Sequence, residues 1–188
     1  MPKRVFIIHG MGSYPKDGWF PWLEQELEAR GFIVNVPNMP CQPPSMVPWT
    51  SYIKQIVGKP DKDTYFIGHS AGCITILRYL ESLPKEEKVG GAIFVAGWIE
   101  GLRFDELKTF FNRPILWSKI KERSNNYVAI YSDNDTITKP YHAEALRKNL
   151  GAKKIIEFAK GHLSGRDSII ELPSVLREIL RIAGGSLN

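Results

Sequence analysis

The sequence predicts a compact α/β fold: about six parallel strands in one sheet, with helices on both faces. Short apolar runs of strand type alternate repeatedly with longer segments of helical periodicity. A glycine–x–serine–x–glycine pentapeptide, Gly68 to Gly72, stands directly between one such strand and one such helix. A chain of 188 residues suits one domain, so we expect a single domain over residues 1–188.

The first half of the chain is predicted to hold three strands and three helices. Apolar runs of strand type cover residues 5–8, 32–36 and 65–67. Apolar side chains at helical spacing predict helices over residues 19–30, 49–57 and 73–83. Residues 37–48 are rich in proline and are predicted to form a loop.

The second half continues the alternation. Strands are predicted over residues 91–97, 127–131 and 154–158. Helices are predicted over residues 141–150 and 169–183, with a loop at 159–166. Residues 98–126 are less regular and are predicted to hold two short helices. Their aromatic side chains either roof a substrate pocket or pack into the core, and both readings stay open.

The pentapeptide Gly68 to Gly72 is typical of a nucleophile elbow, because it follows a strand and opens a helix. Such an elbow presents its serine, here Ser70, on a tight and strained turn. The flanking positions are glycine because larger residues would collide with the strand or the helix. The N–H of Ala71 is then expected to face a developing oxyanion. The alternative is a glycine-rich turn without chemistry.

A serine hydroxyl needs a general base, and His162 is the candidate. It lies in the loop after the last strand, where the chain order serine, aspartate, histidine places the base. The other histidines receive structural assignments. We expect His9 to brace a glycine-rich turn, His69 to point away from Ser70, and His142 to lie on the surface of its helix.

The carboxylate that orients the base is expected after the fifth strand. Asp133 and Asp135 both lie there, and Asp135 is favoured. A carboxylate at the very end of a strand is often a turn former, and Asp133 fits that role. Asp133 nevertheless stays the alternative, whereas Asp105 and Asp167 lie in loops that do not fit.

The second oxyanion donor is expected from the loop after the first strand, and the N–H of Met11 is our candidate beside Ala71. The loops after strands one and three must then be neighbours. A strand order of 2-1-3-4-5-6 satisfies this and places the crevice at Ser70.

Composition excludes several other classes. The net charge is +5, but the basic residues are scattered, which argues against nucleic-acid binding. Neither Cys41 nor Cys73 has metal-ligand spacing, so two reduced thiols are expected. No signal peptide or membrane span is apparent, so a cytoplasmic location and no membrane partner are expected. No metal or cofactor is predicted. Arg103, Arg113 and Lys160 suggest an anionic substrate.

Several segments carry a family resemblance in order along nearly the whole chain: His9-Gly10, residues 18–22, residues 38–40, residues 68–72, residues 132–135 and Gly161-His162. With them the chain resembles an α/β-hydrolase of the small serine hydrolase family that includes retinoblastoma-binding protein nine and YdeN-like proteins. The resemblance implies no large lid domain, and Ser70, Asp135 and His162 as triad. Thr138 and Lys139 depart from the valine and proline frequent in the family.

The sequence thus predicts a carboxylesterase-like serine hydrolase that cleaves a small ester, thioester or amide through an acyl-enzyme on Ser70. The expected partner is a small-molecule acyl substrate, and no protein partner is indicated. Two alternatives stay open. One is a non-catalytic protein-binding module on the same fold, and the other is an acyltransferase in which an alcohol or amine replaces water.

Overall fold

A parallel β-sheet of six strands organises the fold. The computed structural model describes residues 2–99 and 104–185 of the chain. The strands are β1 (Arg4–Ile8), β2 (Ile33–Asn35), β3 (Thr64–His69), β4 (Gly91–Val95), β5 (Tyr127–Ser132) and β6 (Lys153–Glu157). They pair in the order β2-β1-β3-β4-β5-β6, and each pairing is parallel. The predicted fold class and strand order are confirmed.

Helices cover both faces of the sheet. They are α1 (Phe20–Glu28), α2 (Met46–Val57), α3 (Ala71–Ser82), α4 (Trp117–Lys121), α5 (Tyr141–Leu150) and α6 (Pro173–Ile182). Two 3₁₀ helices cover Asp105–Phe110 and Gly165–Asp167. Within the described residues, no helix has the length and apolar character needed to cross a bilayer.

The sheet separates two hydrophobic cores, and β1 shows how one strand serves both. Val5 and Ile7 pack in the core that contains the buried residues of α1 and α6. Phe6 and Ile8 pack in the other core, with the buried residues of α2 to α5. Successive side chains of a strand point to opposite faces. A strand buried on both faces therefore reads as an unbroken apolar run.

Two predicted helix boundaries are wrong, and proline explains both. The last helix begins at Pro173 and not at residue 169, because proline is favoured in the first turn, where its missing N–H has no cost. For the same reason α2 extends back to Met46 and includes Pro48 in its first turn. The predicted loop at residues 37–48 therefore ends earlier.

A buried ion network ties the segment between β4 and β5 to α3. Arg78, which is 2% exposed, pairs with Glu81 at 2.9 Å and donates to the Phe110 carbonyl at 2.8 Å. Glu81 also pairs with Arg113 and accepts the N–H of Leu116. The helix that follows Ser70 thus holds this segment in place.

Candidate active site

Ser70 occupies the tight turn between β3 and α3. Its backbone angles are φ 53° and ψ −119°, a region that residues with a side chain rarely adopt. Such strain persists only where the surrounding structure enforces it, and it is concentrated at functional sites. The backbone N–H of Ser70 donates to the carbonyl of Val95 at 3.0 Å, which helps to enforce the turn.

The glycines around Ser70 are explained by close backbone packing. A β-carbon on Gly68 would lie 2.9 Å from the backbone of Cys73, at the start of α3. A β-carbon on Gly72 would lie 2.1 Å from the carbonyl oxygen of Ile8, at the end of β1. The pentapeptide therefore lets α3 begin directly against the sheet.

The loop after β1 approaches the serine just as closely. A β-carbon on Gly10 would lie 2.7 Å from Cβ of Ser70. The turn is fixed from behind by His9, which is buried. Its Nδ1 lies 2.9 Å from the Gly10 carbonyl, and its Nε2 accepts the N–H of Met39 at 3.2 Å. His9 thus braces this turn in the structure.

His162 and Asp135 are paired. Nδ1 of His162 lies 2.8 Å from Oδ2 of Asp135, and these side chains are 11% and 0% exposed. They come from the loops after β6 and β5, at the same edge of the sheet as Ser70. The contact protonates Nδ1 of the neutral imidazole, which leaves Nε2 able to accept a proton.

The carboxylate of Asp135 is surrounded by donors. Its Oδ1 accepts the N–H groups of Ile137 and Thr138 at 2.7 and 3.0 Å. Its Oδ2 accepts the Thr138 hydroxyl at 2.6 Å, in addition to the contact with His162. Burial alone would raise the pKa of Asp135, but the hydrogen bonds from His162 and Thr138 outweigh it and hold the pKa below its usual range. Asp135 is therefore an anion at neutral pH.

Asp133 has a different contact. The side chains of Ser132, Asp133 and Asn134 accept the backbone N–H groups of residues 159–161, at 2.8 to 3.0 Å. Asp133 itself is exposed and bonds the N–H of Ala159. These side chains therefore join the β5 loop to the loop that carries His162, while Asp135 contacts the imidazole.

The elbow serine and the imidazole of His162 open into one cavity of about 840 Å³. Ser70, His162, Met11 and Ala71 all line it. Among the described residues, the wall includes three large apolar side chains from the segment after β4, namely Trp98, Phe104 and Leu107. The aromatic segment therefore both lines the pocket and packs into the core, while residues 100–103 lie outside the described part of the chain.

His142 corrects a prediction. It is not on the surface of α5 but fully buried, with its ring 5.1 Å from that of Trp98. Burial lowers its pKa to about 4, against a smaller opposing effect of Asp135. His142, Leu146 and Leu150 follow one another at intervals of four along one helix face. That spacing was the available sequence signal.

Arg113 and Lys160, two of the three predicted cations, do not line the cavity. Arg113 pairs with Glu81, and Lys160 pairs with Glu157 at 3.0 Å. Arg103 lies outside the described residues. Within the part of the chain that the structure describes, the lysine and arginine side chains that line the cavity are Lys16 and Arg166, and both are exposed.

Cys41 and Cys73 are free, and Cys73 is buried behind the elbow. Within the described ranges, no cluster of three or more histidine, cysteine or acidic side chains is arranged to hold a metal ion.

Two residues that support the candidate site, Thr138 and Asp167, were not predicted from the sequence. In the sequence Thr138 stands out only as a departure from a family pattern, and no local pattern indicates its contact with Asp135. Asp167 lies in a loop that does not suit the triad carboxylate, and its Oδ2 instead accepts the N–H of His162 at 3.1 Å. It also forms a capping box with Ser164. The serine–x–x–acid pattern of residues 164–167 was the signal for that loop structure.

Known proteins share both the sequence and the architecture. The sequence profile of the family described as serine hydrolase matches residues 5–180. The YdeN protein of Bacillus subtilis strain 168 is 32% identical over 179 residues, covering 93% of each chain. Serine hydrolase RBBP9 of Rattus norvegicus is 26% identical over 185 residues, covering 95% of this chain and 96% of its own.

Solved structures agree with this assignment. The crystal structure of the B. subtilis ydeN gene product superposes with a TM-score of 0.91 at 29% identity, covering 96% of this chain and 98% of its own. Est1E from Butyrivibrio proteoclasticus shares the fold, with a TM-score of 0.71 at 13% identity, covering 95% and 88%. The compact α/β-hydrolase fold is thereby shown. The elbow, the architecture and the match over residues 5–180 together show that the chain belongs to the serine hydrolase family.

Proposed function

We propose that this chain cleaves a small ester, thioester or amide through an acyl-enzyme on Ser70. The chain is a hydrolase by its membership of the serine hydrolase family, and the type of bond that it cleaves is what we propose. One observation carries the proposal. A strained elbow serine and a histidine paired with a buried aspartate line the same cavity.

In the first half-reaction, Ser70 Oγ attacks the substrate carbonyl carbon and the carbonyl π electrons move to oxygen. Nε2 of His162 takes the serine proton, and Asp135 stabilises the resulting imidazolium. The backbone N–H groups of Met11 and Ala71 stabilise the oxyanion. When the tetrahedral intermediate collapses, the bond to the leaving group breaks, and His162 protonates the departing group.

The second half-reaction repeats these steps with water. His162 removes a proton from water, the hydroxide attacks the acyl carbon, and the oxyanion forms in the same place. Collapse breaks the bond to Ser70 Oγ, which recovers the proton from His162. The carboxylic acid leaves, and the reaction as proposed needs no oxidant and no cofactor.

The apolar wall formed by Trp98, Phe104 and Leu107 supports a substrate whose acyl group is apolar. Burial of each methylene on such a wall contributes about 0.8 kcal/mol. A cavity of about 840 Å³ has room for a drug-sized molecule, and a small acyl chain fits well within it.

The test is hydrolysis of p-nitrophenyl esters from acetate to decanoate by the wild-type protein and Ser70→Ala. We expect kcat/KM to rise with chain length over the short members, by roughly 4-fold per methylene, before the pocket is filled. Ser70→Ala should lower kcat by at least ~10⁴-fold. A folded wild-type protein that turns over no ester, thioester or amide would overturn the proposal and favour a binding role.

A further inference from the structure

Two buried ring N–H groups hold the backbone at His162. Nε2 of His69 lies 2.9 Å from the His162 carbonyl oxygen. Nε1 of Trp19 donates to the next carbonyl, that of Leu163, also at 2.9 Å. A carbonyl oxygen only accepts, so the His69 ring must carry its proton on Nε2. Consecutive carbonyls of the loop that carries His162 are thus each bonded by an aromatic side chain from elsewhere in the fold.

The two donors support each other. Trp19 and His69 are 1% and 4% exposed, and their rings meet edge to face with centroids 6.2 Å apart. Trp19 stands at the start of α1, whereas His69 is the last residue of β3 and directly precedes Ser70. The loop is therefore bonded to the same rigid element that carries the serine.

The loop needs such support because its backbone is strained. Leu163 has φ 52°, and it is fully buried. A leucine in this region costs about 1–2 kcal/mol, which the surrounding contacts must offset. On the opposite side, Oδ2 of Asp167 accepts the His162 N–H at 3.1 Å. The peptide groups on both sides of the His162 α-carbon are thus fixed.

The charge state of His69 matters as well as its geometry. Burial, together with the neighbouring His162, lowers the pKa of His69 to about 3, despite the opposing hydrogen bond to the His162 carbonyl. The rings of His69 and His162 are 5.0 Å apart. A charged His69 would repel the imidazolium that forms on His162 during catalysis, and a neutral ring avoids this.

We propose that His69 and Trp19 are positioning residues, which fix the His162 backbone by paired hydrogen bonds so that its imidazole is held toward Ser70. The inference rests on the proposed function of His162 as general base. It assigns a role to the residue directly before the serine, for which the sequence alone predicts only that it points away from Ser70. Neither residue contacts the reacting atoms, and both act through His162.

The test compares His69→Phe, His69→Gln and Trp19→Phe on an activated ester. His69→Phe removes the donor and should lower kcat about 100-fold with KM changed less than about 2-fold, because small displacements of a catalytic group have effects of this size. His69→Gln places an amide N–H near the position of Nε2 and should recover kcat to within roughly 5-fold of wild type. Trp19→Phe loses only the second bond and should lower kcat about 10-fold.

The matched control is His142→Phe, which makes the same change at another buried histidine. Neither ring nitrogen of His142 has a hydrogen-bond partner among the described residues, so kcat should stay within about 3-fold of wild type. Thermal melts identify any variant that fails to fold. If His69→Phe does not fold, Trp19→Phe and His69→Gln still distinguish the outcomes.

The inference is overturned if a folded His69→Phe keeps wild-type kcat, or if Gln and Phe at position 69 are equally impaired. If His69→Phe does not fold, the inference is overturned when the kcat of Trp19→Phe matches that of wild type. Failure of the proposed function has a separate signature, since wild-type protein and Ser70→Ala would then show the same activity.

Discussion

The hydroxyl of Thr138 donates a 2.6 Å hydrogen bond to Oδ2 of Asp135, the oxygen that also faces His162. This bond helps to keep the carboxylate ionised and fixed inside the protein, where an unsupported charge would be strongly unfavourable. It makes Thr138 part of the support of the candidate site.

Thr138→Val removes this hydroxyl at nearly constant volume. Because Asp135 is fully buried, we expect the free energy of unfolding at pH 7 to fall by about 1.5–3 kcal/mol, the usual range for a hydrogen bond to a charged group. Thr138→Ser keeps the hydroxyl and should lose less than half as much. Chemical denaturation measures both, and equal stabilities of the Val variant and wild type would remove this role.

Asp135→Asn and Asp133→Asn separate the two candidate carboxylates. Asp135→Asn should lower kcat about 10⁴-fold, because an amide neither selects the imidazole tautomer nor stabilises the imidazolium. Asp133→Asn retains an oxygen that accepts the Ala159 N–H, so kcat should change by less than about 3-fold. Steady-state kinetics on an activated ester decides, and the reverse ranking would assign the role to Asp133.

Gly72→Ala tests the packing of the elbow. The added β-carbon would lie 2.1 Å from the Ile8 carbonyl oxygen, so α3 must move away from β1. We expect a loss of more than about 4 kcal/mol in unfolding free energy, or failure to fold. The control is Gly151→Ala, where φ is 70° and no atom lies within 4 Å of the β-carbon position, and only about 1–2 kcal/mol should be lost. Similar losses at both positions would contradict the packing argument.

Acid should unfold this protein through its buried histidines. The pKa values of His69 and His142 are lowered to about 3 and about 4, in both cases mainly by burial. The unfolded chain therefore binds protons that the folded protein excludes, and stability present above about pH 6.5 is lost as the pH falls. Each histidine should remove about 1.4 kcal/mol per pH unit between roughly pH 6 and 4.5.

His142→Phe supplies the control for this pH dependence. The variant lacks one of the titrating groups, so its stability should fall less steeply below pH 6, by about 1.4 kcal/mol per pH unit. Denaturant titrations at a series of pH values measure the two slopes. Identical slopes in wild type and variant would show that His142 is not responsible.

Much of the fold was predictable because its four central strands, β1, β3, β4 and β5, are buried on both faces. Unbroken apolar runs such as Val5 to Ile8 mark such strands, and the elbow identifies the turn at Ser70. Helix ends are less predictable from helical spacing alone, as Pro173 shows. Helical spacing from residue 169 onward is compatible with an earlier start, while the proline at the first position sets the actual one.

The candidate site was predictable where chemistry dictates the chain order of its residues, and unpredictable where tertiary contacts determine it. Ser70, Asp135 and His162 follow from the order of strands and loops, and the structure brings Asp135 and His162 together. The contact of Trp19 with Leu163 joins residues 144 positions apart, and no local pattern indicates it.

The most direct measurement is mass spectrometry after labelling with a fluorophosphonate probe. An elbow serine with an active base should give one adduct, located on the peptide that contains Ser70, in the wild-type protein. Ser70→Ala should carry no adduct, and His162→Ala should react at least ~100-fold more slowly. A wild-type protein that stays unlabelled while folded, or a Ser70→Ala variant labelled as fast as wild type, would contradict the account.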